Sequence, residues 1–123
     1  KFKIKNTRYF HLDILVDIPP YQYDIIISNP PYISKNEYQS LEIEVKNYEP
    51  YNALTDMGDG YVFYKRYADI LHRILIKKGI AVFELSHFFS KSKLLKIFNK
   101  FNNIRFYNDL NGDLRAIRII NDW

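Results

Sequence analysis

Apolar residues along this chain fall into two alternating patterns, short continuous runs and longer stretches at helical spacing, which predict an α/β sheet. Residues 24–28, DIIIS, form a continuous run rich in β-branched isoleucine between turn formers. That pattern predicts a central parallel strand buried on both faces. From Asp59, a residue suited to capping, Phe63, Tyr67, Ile70, Leu71, Ile74 and Leu75 recur at helical spacing and predict a helix to about Ile76. Lys77-Lys78-Gly79 supplies positive charge and a glycine where such a helix would end. Ile80–Leu85 then reads as a second buried strand, and Ser90–Phe101 as a helix with Leu94, Leu95, Ile97, Phe98 and Phe101 inward. Ile104–Tyr107 and Ala116–Ile120 predict two further strands, antiparallel neighbours because only the turn-forming stretch Asn108–Asp113 and its flanks join them. Upstream, Arg8–Leu15 predicts the end of another strand finishing near Asp13, and Pro19-Pro20 breaks the chain before Tyr23. Residues 33–58 read as a long excursion with short helical turns around Lys35–Ser40, and excursions of that length usually carry function.

Leading into the excursion is Asn29-Pro30-Pro31-Tyr32-Ile33, directly behind the first strand. Two prolines donate no backbone hydrogen bond and fix φ, so the chain stops pairing there and stiffens. Ligands of open parallel sheets sit beyond the carboxyl ends of strands, which is where this run lies. The Asn29 side-chain oxygen and the Pro30 carbonyl are acceptors, and Tyr32 offers a flat ring. Two acceptors beside an aromatic plate suit a planar group bearing NH₂: both N–H bonds are satisfied while the π-plane stacks on the ring. Such a nitrogen is poorly nucleophilic, so catalysis rests on orienting it toward an electrophile and on acceptors that tolerate growing positive charge. No histidine or carboxylate dyad is needed before attack. A bare Pro-Pro after a strand is usually only a rigid turn; the full run behind DIIIS favours a site.

Composition narrows the classes. With 123 residues the chain makes one domain at most, and 47% hydrophobic and 17% aromatic residues, including Tyr 11 and Phe 9, are too apolar for a disordered chain. Without cysteine there is neither a disulfide framework nor a thiolate metal site, and His11, His72 and His87 are scattered, so no metal is expected. No window resembles a membrane span and the amino terminus lacks a signal-peptide core, which makes a cytoplasmic location the default. Eighteen Lys and Arg against 14 Asp and Glu give a net charge of +4, a weak pointer to polyanionic neighbours. Lys91, Lys93, Lys96 and Lys100 read as the solvated face of a helix. Glu42, Glu44 and Glu49 read as surface residues of the excursion, and Glu84 as structural.

The run at 29–32 resembles the (N/D)PP(Y/F/W) motif of class I S-adenosyl-L-methionine-dependent methyltransferases that modify exocyclic or amide nitrogens. The flanking residues are similar to one branch in particular, the HemK/PrmC proteins that methylate the glutamine of the GGQ motif in peptide chain release factors. The stretches concerned are DIIISNPPYI at 24–33, Glu44-Val45, Tyr48-Glu49-Pro50 with Ala53-Leu54, Gly58-Asp59-Gly60, Phe83-Glu84-Leu85, and Asp109-Leu110-Asn111-Gly112 through Arg115. The resemblance implies a Rossmann-like class I methyltransferase sheet, of which residues 1–123 are the carboxyl-terminal half. It implies that Asn29, Pro30 and Pro31 hold the substrate amide with Tyr32 packed against it, and that Asn29, Pro30 and Tyr32 carry catalysis. Asp13, Ile14 and Asn29 would lie on the cofactor, Asp13 and Ile14 at its adenine end. The branch usually has Gly before that Asp; here Leu12 stands there. The glycines at 58, 60, 79 and 112 form no glycine-rich cofactor turn, so that turn and an amino-terminal helical domain are expected in sequence outside these residues. Two other readings stay open: methylation of adenine or another aminated base in RNA or DNA, and a non-catalytic fragment without a complete cofactor site.

Overall fold

A computed structural model describes residues 6–41, 48 and 50–123. In chain order the elements are β1 (Tyr23–Ser28), α1 (Lys35–Ser40), α2 (Tyr51–Leu54), α3 (Val62–Ile74), β2 (Leu75–Glu84), α4 (Lys91–Ile97), β3 (Asn103–Asn108) and β4 (Leu114–Ile120). They build one sheet in the order β1-β2-β4-β3. β1 and β2 are parallel, with α3 as the crossover between them. β4 inserts antiparallel between β2 and β3, so β2 and β3 run the same way. The α/β class and the closing antiparallel pair are both as the pattern predicts.

The core lies on one face of the sheet. On α3, Tyr64, Tyr67, Ala68, Ile70, Leu71 and Ile74 are buried, a stripe at helical spacing. They meet Ala81, Phe83 and Leu85, alternate residues of β2 and its exit, with Ile117 and Ile119 of β4, Leu94 of α4 and Phe98 just past its end. Tyr67 and Phe98 both stack on Phe83, at 4.4 and 6.1 Å between ring centroids.

Several expectations need correction. β1 is the edge strand of the sheet among the described residues, and it is buried on one face only: Ile26 packs on the core while Ile25 and Ile27 are 61% and 79% exposed. A run of consecutive isoleucines does not reveal whether the second face is covered. α3 starts at Val62, not Asp59, because Asp59 turns its carboxylate to the Tyr61 N–H and the Val62 N–H is taken by Asp56. It ends at Ile74, and Lys77-Lys78-Gly79 lies inside β2 as an irregularity. There Lys78 takes a positive φ of 64°, and the buried Asn121 side chain donates to the Leu75 and Ile76 carbonyls at 2.8 and 3.2 Å. α4 stops at Ile97, and Leu95 is 47% exposed rather than inward. Residues 8–13 form no strand; a turn follows at 14–16.

The terminal hairpin is fixed by its turn. Asp109 accepts from the Asn111 and Asp113 N–H groups and from Arg115, and Gly112 takes φ +89°, a region glycine enters without a Cβ penalty.

Candidate functional site

The site begins at the carboxyl end of β1. Ser28 Oγ and the Tyr67 hydroxyl are 2.9 Å apart, which ties the strand tip to α3 just before the motif. Asn29 is then exposed, Pro30 buried, and Pro31 and Tyr32 half-buried. The chain leaving the motif is clamped by residues 54–58. The Ile33 N–H donates to the Leu54 carbonyl at 3.1 Å, the Asp56 N–H to the Ile33 carbonyl at 3.3 Å, and the Lys35 N–H to the Gly58 carbonyl at 3.0 Å. Ser34 starts α1 with a reciprocal capping box to Glu37. Diproline rigidity is therefore only part of the stiffness; a second segment pairs with the exit.

Gly60 closes that second segment against the motif. Its φ is +83°, and a Cβ there would stand 2.7 Å from the Tyr32 carbonyl oxygen and 3.3 Å from the Phe89 ring. The Tyr32 side chain is held at its far end, where the hydroxyl donates to Glu84 Oε1 at 3.3 Å. Phe89 meets its ring edge-on at 6.3 Å and itself stacks on Tyr61 at 4.2 Å. Burial first, then the charge and hydrogen bond of Glu84, push the Tyr32 hydroxyl above the ordinary tyrosine range, with Arg115 opposing. Tyr32 thus keeps its proton and offers a neutral ring.

Asp13 and Ile14 sit in a turn across the structure. The Asp13 carbonyl accepts from the Val16 and Asp17 N–H groups at 3.0 and 2.7 Å, and its carboxylate accepts from the Leu15 N–H at 3.0 Å. Arg66 of α3 anchors the turn by donating to the carbonyls of Ile14 (2.9 Å), Val16 (3.2 Å) and Asp17 (2.9 Å).

Two of the clefts lined by these parts include motif residues, Pro31 in one and Tyr32 in the other. One cleft, of about 460 Å³, is lined by Leu12, Asp13, Ile14, Pro31, Met57 and Phe63 among others. The other, of about 690 Å³, is lined by Tyr32, Ile33, Glu37, His87, Phe88 and Arg115 among others. Asp13, Ile14 and Pro31 are brought together in the first; Tyr32 faces the second; Asn29 stands exposed at the strand tip and lines neither. Glu42, Glu44, Val45 and Glu49 lie outside the described residues. Sequence reasoning did not single out Arg66, gave Arg115 only as the end of a resembling stretch and read Glu84 as structural; in the structure Arg66 holds the 14–17 turn and Glu84 accepts from the Tyr32 hydroxyl.

Among the described residues no helix is long and apolar enough to cross a membrane. No family model matches the chain. A release factor glutamine methyltransferase of Fusobacterium nucleatum subsp. nucleatum is 42% identical over 118 residues, which cover 94% of this chain and 33% of that protein. One from Bacillus subtilis (strain 168) is 38% identical over 120 residues, covering 91% and 40%. Among solved structures, N-methyltransferase NodS from Bradyrhizobium japonicum WM9 aligns at a TM-score of 0.43 and 13% identity over 91% of this chain and 58% of that one. The chain spans a third to two fifths of the length of the two curated relatives. Along nearly its whole length, this chain is similar to the carboxyl-terminal portion of the release factor glutamine methyltransferases.

Proposed function

We propose that this chain forms the substrate-orienting side of an S-adenosyl-L-methionine-dependent protein-glutamine N-methyltransferase whose substrate is a peptide chain release factor in the cytoplasm. The observation that carries the reading is the clamped motif itself: Pro31 lines one cleft together with Asp13 and Ile14, and Tyr32 lines another. The first cleft fits the adenine end of the cofactor. Leu12, Ile14, Leu15 and Phe63 give apolar walls for a flat ring, and the exposed Asp13 carboxylate is an acceptor for an exocyclic amine. When bound, the cofactor supplies an electrophilic methyl group.

The chain's own residues do the rest. The Asn29 side-chain oxygen and the Pro30 carbonyl accept the two amide N–H bonds of the glutamine, and Tyr32 gives its plane a surface. As charge grows on the nitrogen, those oxygens stabilise it without reorganising, because the backbone that carries them is pinned at Ser28, Ile33 and Gly60. Tyr32 does not take the proton, since its hydroxyl is held protonated against Glu84; the proton leaves to solvent after transfer.

The test is a full-length protein carrying this sequence, incubated with methyl-labelled cofactor and either release factor or RNA and DNA. Label is expected on the release-factor glutamine, and Asn29→Ala should slow it about 10²-fold, the scale of losing one oriented polar partner in a transition state. Label confined to nucleic acid, or an undiminished rate in the variant, rejects the proposal.

A further inference from the structure

We infer that Glu84 is a positioning residue for this site: its carboxylate fixes the axis of the Tyr32 side chain so that the ring, not the hydroxyl, is offered to the planar nitrogen of the substrate. The inference rests on the methyl-transfer reading above. Three restraints act on Tyr32. Its carbonyl is packed against Gly60, its ring lies nearly perpendicular to Phe89 at 6.3 Å, and its hydroxyl donates to Glu84 Oε1. The first two limit backbone position and ring rotation. The phenol oxygen lies on the ring's own rotation axis, so the hydrogen bond restrains something different, the direction in which that axis points. Without it the ring is free to swing into the 690 Å³ cleft that it borders.

Glu84 is itself rigidly mounted. It is the last residue of β2, its backbone carbonyl accepts from the Tyr64 hydroxyl at 2.6 Å, and its Cα pairs with Ala116 of β4. A carboxylate accepts and does not donate, so the contact forces the Tyr32 proton toward Glu84 and away from substrate. The groups facing Tyr32 are Glu84 from β2, Arg115 from β4 and Tyr64 from α3, with Glu37 and His87 on the same cleft. Of these, Glu84 is the one hydrogen-bonded to the phenol.

The experiment uses full-length protein carrying this sequence with Tyr32→Phe, Glu84→Ala, Glu84→Gln and the Tyr32→Phe/Glu84→Ala double variant, and Asn29→Ala in parallel. Tyr32→Phe and Glu84→Ala should each lower kcat about 10-fold, the order expected for a group tilted by a fraction of an ångström, with the KM for S-adenosyl-L-methionine unchanged. The double variant should be no worse than either single, and Glu84→Gln, which keeps an acceptor oxygen, should recover most of the rate. Losses that multiply in the double variant, or a Glu84→Ala enzyme at full rate, overturn the inference. A readout free of catalysis is the titration of the Tyr32 phenol by NMR of ring-labelled protein. Glu84→Gln should bring it down toward ordinary tyrosine while burial keeps it raised, and no movement overturns the contact. If Asn29→Ala loses activity but the Glu84 series fails, positioning alone is wrong. If Asn29→Ala is fully active, the methyl-transfer reading is wrong, and the titration still decides whether Glu84 holds Tyr32.

Discussion

Replacing Gly60 by alanine isolates the contact that seats the motif, because Gly112 supplies a matched control. Both glycines have similar positive φ, +83° and +89°, so an alanine at either meets the same kind of backbone strain, about 1–2 kcal/mol. Both substitutions also reduce unfolded-state entropy, which returns about 0.4–1 kcal/mol. They differ in surroundings. A Cβ at Gly112 meets nothing within 4 Å, whereas one at Gly60 lies 2.7 Å from the Tyr32 carbonyl oxygen. That oxygen belongs to backbone clamped on its far side at Ile33, so it cannot retreat without breaking the 33–54 or 33–56 hydrogen bonds. Relieving such overpacking costs roughly a further 1–3 kcal/mol. Gly112→Ala should therefore destabilise by about 0–1.6 kcal/mol and Gly60→Ala by roughly 1–4.6 kcal/mol, the overpacking being the difference. Urea denaturation followed by circular dichroism, with the slope held common, measures the difference. Equal midpoints for the two variants refute the idea that residues 58–60 hold the motif from behind, whatever the strain at either site.

Other perturbations separate the remaining parts of the structure. Ser28→Ala leaves the half-buried Tyr67 hydroxyl without its partner and should cost about 1–2 kcal/mol, most of it recovered by adding Tyr67→Phe; no recovery in the denaturation midpoint means the pair is not the cause. Arg66→Met keeps the aliphatic stem but removes the donors to three carbonyls, so hydrogen exchange at Val16 and Asp17 should quicken at least about tenfold while α3 stays protected. Unchanged exchange there rules out Arg66 as the anchor. Burial would raise the Asp59 carboxyl, but Lys65, the Tyr61 N–H and Lys93 outweigh it and bring it down to about 2. A carboxyl depressed on folding stabilises fully above its unfolded value and loses that contribution as pH falls through about 4 toward 2. Since the carboxylate and both lysines are substantially exposed, the effect should stay under ~1 kcal/mol, and Asp59→Asn should flatten that limb of the pH–stability curve.

What the sequence discloses about this fold is what depends on neighbours in the chain. The β2 core segment, the terminal hairpin and the stripe on α3 follow from periodicity and turn chemistry. The errors arise where distant residues decide. Leu12 and Ile14 look like strand positions, yet residues 8–13 form no strand and the chain turns at 14–16, where Arg66 collects carbonyls from about fifty residues away. Lys77-Lys78-Gly79 has the chemistry of a helix stop, yet the backbone had already left the helix, with Leu75 paired to Tyr23 and its carbonyl held by Asn121. DIIIS reads as buried on both sides because periodicity reports apolarity, not what covers it. The motif at 29–32 was legible for the same reason the hairpin was, since its rigidity and its place behind a strand are local. Its supports at Gly60 and Glu84 lie far along the chain and had no local signature tying them to Tyr32.

The division into two clefts has a kinetic consequence if the proposed function holds. The turn at 13–17 depends on Arg66 and on its own hydrogen bonds, while the motif depends on Ser28, residues 54–60 and Glu84. The hydrogen bonds named for the two supports share no residue, although both are built on α3, through Arg66 for one and Tyr67 for the other. Loosening the turn should therefore weaken binding of the methyl donor and leave the oriented amide alone, whereas loosening the motif should slow transfer and leave donor affinity alone. A substitution at Tyr67 is the informative exception: it touches the strand tip through Ser28 and the core through Phe83, so it perturbs orientation only insofar as it moves the end of β1. Transmission by that route is mechanical, along one strand end, and the effect of Tyr67→Phe on kcat should therefore match that of Ser28→Ala rather than that of any change in the 12–17 turn.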